Sequence, residues 1–271
     1  MRTIRALLLV AASTTLAGCI NSATLITVKP DGSGTVEQST LVNIGGMKAM
    51  MPGMTQPGQS GNPVNEADLK RAAERMGKGV RLVSAEPAKA GGFEGVKAVF
   101  AFDDINQLQV SQDPSMSGST TGVFASAPPP VENPVKFSLK RDGGTSVLTV
   151  QFQDKPAGAT TPSDTPQGGP DMTDPMVLNM VKTMFDGFKI GIDLQVVGTI
   201  VKTNAEYVNG SRLTLLEMDL GQLFQDQEKL KALQGKVGPG ASLSEVKPYL
   251  KDVKGIKQIA TDAAKMIGMC L

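Results

Sequence analysis

Cys19 places the most reactive side chain of the chain at a telling position. A thiol acts as a nucleophile through its thiolate, and this one stands directly after Leu16, Ala17 and Gly18. The small Ala17 and Gly18 leave the backbone open to a peptidase. Four thioethers follow in one short stretch, at Met47, Met50, Met51 and Met54. Soft sulfur ligands suit Cu(I), and the four would surround one ion if the segment folded back on itself. The plainer role for them is an adaptable apolar loop, and no metal site is expected. Asp103 and Asp104 are adjacent carboxylates, the raw material of acid–base work. Aspartate directly after a strand normally caps or turns instead. Asp31 and Asp142 sit in turns by the same logic. Asp193 lies on the polar side of a strand, near Lys189, and is expected to be solvated. Residues 235–240 are glycine-rich but lack the Lys-Ser/Thr of a phosphate loop. The chain has no His, which removes the usual general base and the commonest metal ligand. No catalytic residue is assigned, no cofactor is expected, and the chain is not expected to be an enzyme.

The residues before Cys19 explain its position. Arg2 and Arg5 form a positive start, residues 6–12 are an unbroken apolar run, and small residues follow. That order is a secretory signal. Its apolar run falls well short of the roughly 20 residues a spanning helix needs. Leu16-Ala17-Gly18-Cys19 resembles the lipobox of bacterial lipoproteins; the alternative is a plain secretory signal with a chance cysteine. The resemblance implies a diacylglycerol group on Cys19, cleavage between Gly18 and Cys19, and acylation of the new amino terminus. Residues 1–18 are then a signal peptide. Several acyl chains hold a protein firmly, at about 0.8 kcal/mol per buried CH₂. In Gram-negative members of that class an aspartate after the cysteine retains the protein on the inner membrane. Ile20 therefore points to the outer membrane, facing the periplasm, where the cell has one. Cys270 is the second of two cysteines. With Cys19 acylated it is a lone thiol near the chain end, free or paired between molecules.

Composition narrows the partners. The chain carries 27 basic and 26 acidic residues; removing Arg2 and Arg5 with the signal leaves 25 against 26. That balance offers no footprint for nucleic acid. No basic run suggests binding to anionic headgroups.

The elements that would carry a site alternate strands and turns. Residues 22–29 and 35–42 read as a hairpin closed by Pro30-Asp31-Gly32-Ser33-Gly34. Asn65 caps a helix with Leu69, Ala72, Ala73 and Met76 on one face, and Gly77 ends it. Residues 79–86 and 95–102 are strands, the second placing Val96, Ala98, Phe100 and Phe102 on one face. Residues 105–110 are a short helical or turn segment. Val135, Phe137 and Leu139 alternate, as do Leu148, Val150 and Phe152, around a turn at 141–144. A helix with an apolar face of Met176, Val177, Met180, Val181, Met184 and Phe185 precedes a strong strand over 188–196. Asn209-Gly210 joins 199–208 to 211–218 as a hairpin. Residues 220–233 and 256–269 read as helices.

Three segments rich in Pro and Gly, 45–63, 111–134 and 154–172, interrupt this order. The expectation is an α+β domain over 19–220: an antiparallel sheet of hairpins with helices packed on one face. A C-terminal helical region follows over 221–271. No membrane-spanning segment is read in the tail.

The stretch from Val28 to Val36, with its Lys29-Pro30-Asp31-Gly32-Ser33-Gly34 turn just after Cys19, resembles the start of LppM-like bacterial lipoproteins. That resemblance implies a mixed α/β domain outside the cell, associated with lipid or glycolipid binding. It transfers no binding residue. The function expected is a lipid-anchored, non-enzymatic envelope protein that binds a lipid, a glycolipid or another envelope component. The alternative is a structural or assembly factor that docks onto an envelope protein. A cavity lined by Phe100, Phe102, Met180, Ile190 and Ile192 would favour lipid. The same residues as a filled core are the ordinary outcome of strand alternation.

Overall fold

Pro30 and Gly32 set the first turn. Proline fixes one φ, and Gly32 takes φ +88°, which other residues rarely adopt. Lys29 N–H donates to the Ser33 carbonyl (2.8 Å) and Gly32 N–H to the Lys29 carbonyl (3.0 Å). The turn joins β1 (Ile20–Val28) to β2 (Gly34–Val42), paired from Val28–Gly34 down to Ile20–Val42. The computed structural model describes residues 20–43, 65–111, 134–142, 145–152, 187–219, 256–258 and 265–270, with 176, 179, 182, 221 and 222.

Helix α1 (Glu66–Met76) forms as its sequence requires. The Asn65 side chain accepts from the N–H groups of Ala67 and Asp68, which satisfies donors the first turn leaves free. Leu69, Ala72, Ala73 and Met76 are buried, and the helix packs on β3 (Arg81–Ala90) and β5 (Gln109–Ser111). Gly77 ends it. A Cβ there would lie 2.0 Å from the Gln107 carbonyl oxygen.

Strand β4 (Phe93–Phe102) buries Val96, Ala98, Phe100 and Phe102, as its alternation predicts. A 3-10 turn over Ile105–Gln107 then carries the chain from β4 to β5. Strands β6 (Pro134–Asp142) and β7 (Thr145–Phe152) form the expected hairpin. After them come β8 (Lys189–Val196), β9 (Thr199–Thr203), β10 (Val208–Asn209), β11 (Arg212–Asp219), β12 (Ile256–Gln258) and β13 (Lys265–Cys270).

These strands make two sheets. The larger runs β10-β11-β8-β1-β2-β4-β3, with β12 also on β11; the smaller runs β5-β6-β7-β13-β9. Their apolar faces share one core, from Ile26, Val36 and Phe100 to Val135, Leu148 and Val150, closed by α1.

This corrects the expected α+β architecture. The protein is mostly β, and α1 is the one helix whose bounds the described residues define. The large sheet is mixed, because β1 pairs with β8 in parallel. Parallel neighbours need a crossover, and no local pattern announces which distant strand supplies one. The tail is strand, not helix, at 256–258 and 265–270. Strand β13 fills the gap between β7 and β9 and pairs with both. A weak helical pattern yields where two strand edges wait to be satisfied.

The hairpin at Asn209-Gly210 is shorter than expected. Only β10 pairs with β11, with Gly210 and Ser211 as the loop, while β9 leaves for the other sheet. Met176, Asn179 and Lys182 are helical, but Met176 is 81% exposed rather than on a buried face. The rest of that apolar face, most of the helix expected over 220–233, and the bulk of the segments 45–63, 111–134 and 154–172 lie outside the described residues.

Gly34 is a pinch point. A Cβ there would sit 1.9 Å from the Thr27 carbonyl oxygen and 2.5 Å from the ring of Phe102. Gly191, on β8, has nothing within 4 Å. Gly34→Ala should therefore cost about 1–3 kcal/mol, whereas Gly191→Ala should stay within about 0.5 kcal/mol of the parent. Denaturant unfolding of the two variants would check this; equal midpoints would refute the close packing at Gly34.

Candidate functional site

The large sheet has two unlike ends. Its inner face is built in rows set by register. Phe102, Gly34, Val28 and Val196 form one row, and Phe100, Val36, Ile26 and Leu194 the next. Both are apolar and buried. The following rows are Ala98, Gln38, Thr24 and Ile192, then Val96, Thr40, Ser22 and Ile190. Here the two central strands turn polar. Ser22 and Thr24 are 2% exposed and Gln38 is 9%. The Thr24 hydroxyl is buried with no hydrogen-bond partner among the described residues, as is that of Ser146 on β7. A buried hydroxyl without a partner costs free energy.

This is also the end where β1 begins. Ile20 pairs with Val42, Val42 with Glu94, Asn21 with Lys189, and Lys189 with Asp219. Two ion pairs flank the row. Lys89 Nζ lies 2.9 Å from Glu94 Oε1, and Lys189 Nζ lies 3.2 Å from Asp219 Oδ2. Asp219 is 7% exposed and also accepts from the Gln222 N–H (3.1 Å) and side-chain amide (3.1 Å). Sequence reasoning missed this role. The signal available was an aspartate at a strand end, three residues before a glutamine, which is a capping arrangement. A depression of about 320 Å³ lies at the β3–β4 turn, lined by Lys89, Ala90, Gly91, Gly92, Phe93 and Glu94.

The residues singled out for chemistry are scattered and engaged. Gly18, Cys19, Met47, Met50, Met51, Met54 and Met180 lie outside the described residues. Phe100, Phe102 and Ile192 are buried in the shared core, with Ile190 half-buried against it. Asp104 caps the 3-10 turn, accepting from the Asn106 N–H (2.9 Å) and side-chain amide (2.6 Å). Asp103 points away to Arg81, at 2.7 Å. The two carboxylates therefore do not act together.

Asp193 is not simply solvated. It accepts from Arg212 (2.9 Å) and from the Thr214 hydroxyl (2.8 Å), while Lys189 turns to Asp219. Cys270 stands on β13 opposite Thr145 and Thr199. The Asp142 backbone closes the β6–β7 hairpin opposite Thr145. Among the described residues no three His, Cys, Asp or Glu side chains gather around a common point. Among them, too, no helix is long and apolar enough to cross a membrane.

At the far end of the sheet, Asp31 accepts from the Ser33 hydroxyl (2.7 Å) and N–H (2.9 Å). The hydroxyl, followed by the N–H, holds its carboxyl below the ordinary carboxylate range. At the start of α1, Lys70 does the same to Glu66 through a hydrogen bond and its charge.

No protein-family model and no curated protein sequence matches the chain. Among solved structures, the chain is similar to the NMR structure of the folded domain of Mycobacterium tuberculosis LppM. The two are 9% identical, with 93% of this chain and 90% of that chain covered, and the TM-score is 0.36.

Two outcomes follow from these contacts. Thr24→Val removes a buried hydroxyl that has no partner among the described residues and should raise stability by about 1 kcal/mol; a loss on denaturant unfolding would mean that the hydroxyl has a partner. Ser33→Ala should move the Asp31 pKa back up towards the ordinary value in an NMR titration. A depressed native pKa stabilises the fold above the unfolded pKa and is lost as pH falls through the native one. The parent turn should thus weaken only in acid, below the ordinary carboxylate range.

Proposed function

We propose that the protein is a lipid-anchored, non-enzymatic component of a bacterial cell envelope. Its ligand is a lipid, a glycolipid or another envelope component. The observation that carries this reading is Leu16-Ala17-Gly18-Cys19 at the end of a short apolar run led by Arg2 and Arg5. Residues 1–18 direct export, cleavage falls between Gly18 and Cys19, and the Cys19 sulfur holds a diacylglycerol group as a thioether. With Ile20 next, the anchored form resides on the outer membrane, facing the periplasm, in a cell that has one.

Two features support a non-enzymatic role. The chain has no His to serve as a base. The described carboxylates singled out above are tied into turns, caps and ion pairs. A second reading, docking onto an envelope protein, draws on the exposed side chains of Val197 (47%) and Val201 (54%), beside and on the edge strand β9. An edge strand with unpaired backbone groups is a ready template for another chain.

Intact mass spectrometry of the membrane-extracted protein tests the anchor. The expected product starts at Cys19 and carries acyl mass, and Cys19→Ser should yield no acylated form. Acylation that survives Cys19→Ser would overturn the assignment. Native mass spectrometry then separates the two ligand classes. An added mass that organic solvent removes supports a bound lipid. A bare protein mass rejects the carrier reading in favour of a protein partner, to be trapped by crosslinking at Val201.

A further inference from the structure

We infer that the tip of the β3–β4 hairpin, Lys89–Glu94, is the part of the domain that rests on the bilayer surface, beside the acyl anchor. This rests on the acylation of Cys19 proposed above and adds the orientation of the folded body to it.

The argument is one of register. Ile20, Val42 and Glu94 are partners across three adjacent strands, so they stand at one level of the sheet. Cys19 is joined to Ile20 by a single peptide bond, with Cα atoms about 3.8 Å apart. No linker separates the acyl chains from the first strand. Neighbouring strands are about 4.8 Å apart, which places the β4 edge of this row roughly 10 Å to the side of Ile20. From Glu94 the hairpin runs on past that level. Phe93 pairs with Ala90, and Gly91 and Gly92 close the turn. At about 3.3 Å per residue the turn lies roughly 7 Å beyond Glu94. A bilayer that holds acyl chains on Cys19 is within reach of that turn.

The tip is also shaped to meet a surface. Gly91 and Gly92 take φ +55° and +86°, the positive values that tight two-residue hairpins need. A Cβ added at either would meet nothing within 4 Å, so the turn projects clear of the rest of the fold. Lys89 and Glu94, 70% and 47% exposed, form a paired polar shoulder behind it. Such a shoulder suits the headgroup region, where charged groups stay hydrated. The opposite end of the sheet, with Asp31 and with Asn209 opposite Arg212, lies about seven residues along the strands, or roughly 23 Å away. That end faces away from the membrane.

Site-specific fluorescence quenching tests this on the full-length precursor, expressed and processed in a bacterial host. Cys270→Ser leaves single introduced cysteines to carry an environment-sensitive dye. Ala90→Cys and, as a second tip position, Lys89→Cys are compared with Asn209→Cys at the far end. The acylated proteins are reconstituted in phosphatidylcholine–phosphatidylglycerol vesicles carrying doxyl-labelled lipid, and vesicle flotation is scored in the same samples. The expected result is several-fold stronger quenching at Ala90 and Lys89 than at Asn209. Proteins that float with no quenching at either tip position, or with equal quenching at all three, would overturn the orientation and leave the anchor standing. Proteins that do not float, with Cys19 unmodified, would remove the anchor and this inference together.

Discussion

Strand β1 is bonded along both edges, and the large sheet exists because of it. On one side it meets β2 through a tight turn; on the other it meets β8, more than 160 residues on, in parallel register. The first pairing is local and closes quickly. The second must find its partner across a long span of chain, which carries a loop-closure cost before any contact repays it. The alternation of Ile26 and Val28 with Leu194 and Val196 supplies that return, since each pair buries apolar surface on the core side. Without β1, the β2-β4-β3 unit and the β8-β11 pair would each present an open edge to solvent, a recognised aggregation hazard.

The two sheets are tied by short crossings. Asp104 and Asn106 organise one of them. Asp104 caps the 3-10 turn, the Ile105 N–H donates to the Gly32 carbonyl (2.8 Å), and Asn106 Oδ1 accepts from the Leu139 N–H (2.7 Å). The first hairpin, the β4–β5 crossing and β6 thus meet at one node. Gly32 belongs there for a second reason besides its φ, since a Cβ would press on Leu139 at 3.2 Å. A second crossing is Val197-Gly198, where the Val197 N–H donates to the Val28 carbonyl (2.8 Å), and residues 204–207 return the chain from β9 to β10 in the large sheet. The crossings at Asp104–Asn106 and Val197-Gly198 both sit at the far end of β1, opposite Ile20.

Local chemistry was legible in the sequence, and long-range pairing was not. Asn65 announced α1, Asp31-Gly32 announced the first turn, and Phe100 and Phe102 announced a core face, because each depends on residues within a few positions. Strand β13 was misread as helix, since Met266 and Ile267 fit a weak helical stripe and nothing nearby shows that β7 and β9 leave a place between them. Asp193 was misread for the same reason: its partners Arg212 and Thr214 arrive from the next strand, not from its own. The polar stripe of Ser22, Thr24 and Gln38 was visible as letters in the sequence. Only the register of β1 on β2 and β8 shows that these side chains point inward.

The same register bears on how the protein carries load. A lipid on Cys19 would pull along the axis of β1, because no flexible linker intervenes before Ile20. Force applied that way shears the bonds to β2 and β8 together instead of peeling them one at a time. A central strand, bonded on both edges, resists that better than an edge strand with half the bonds. Near Ile20 the inner face is polar as well as buried, since Ser22 and Thr24 are 2% exposed and the Thr24 hydroxyl has no partner among the described residues. On the proposed anchoring, that less well satisfied end would stand beside the bilayer, and the dense apolar rows from Ile26 to Val28 would lie at the far end of the sheet.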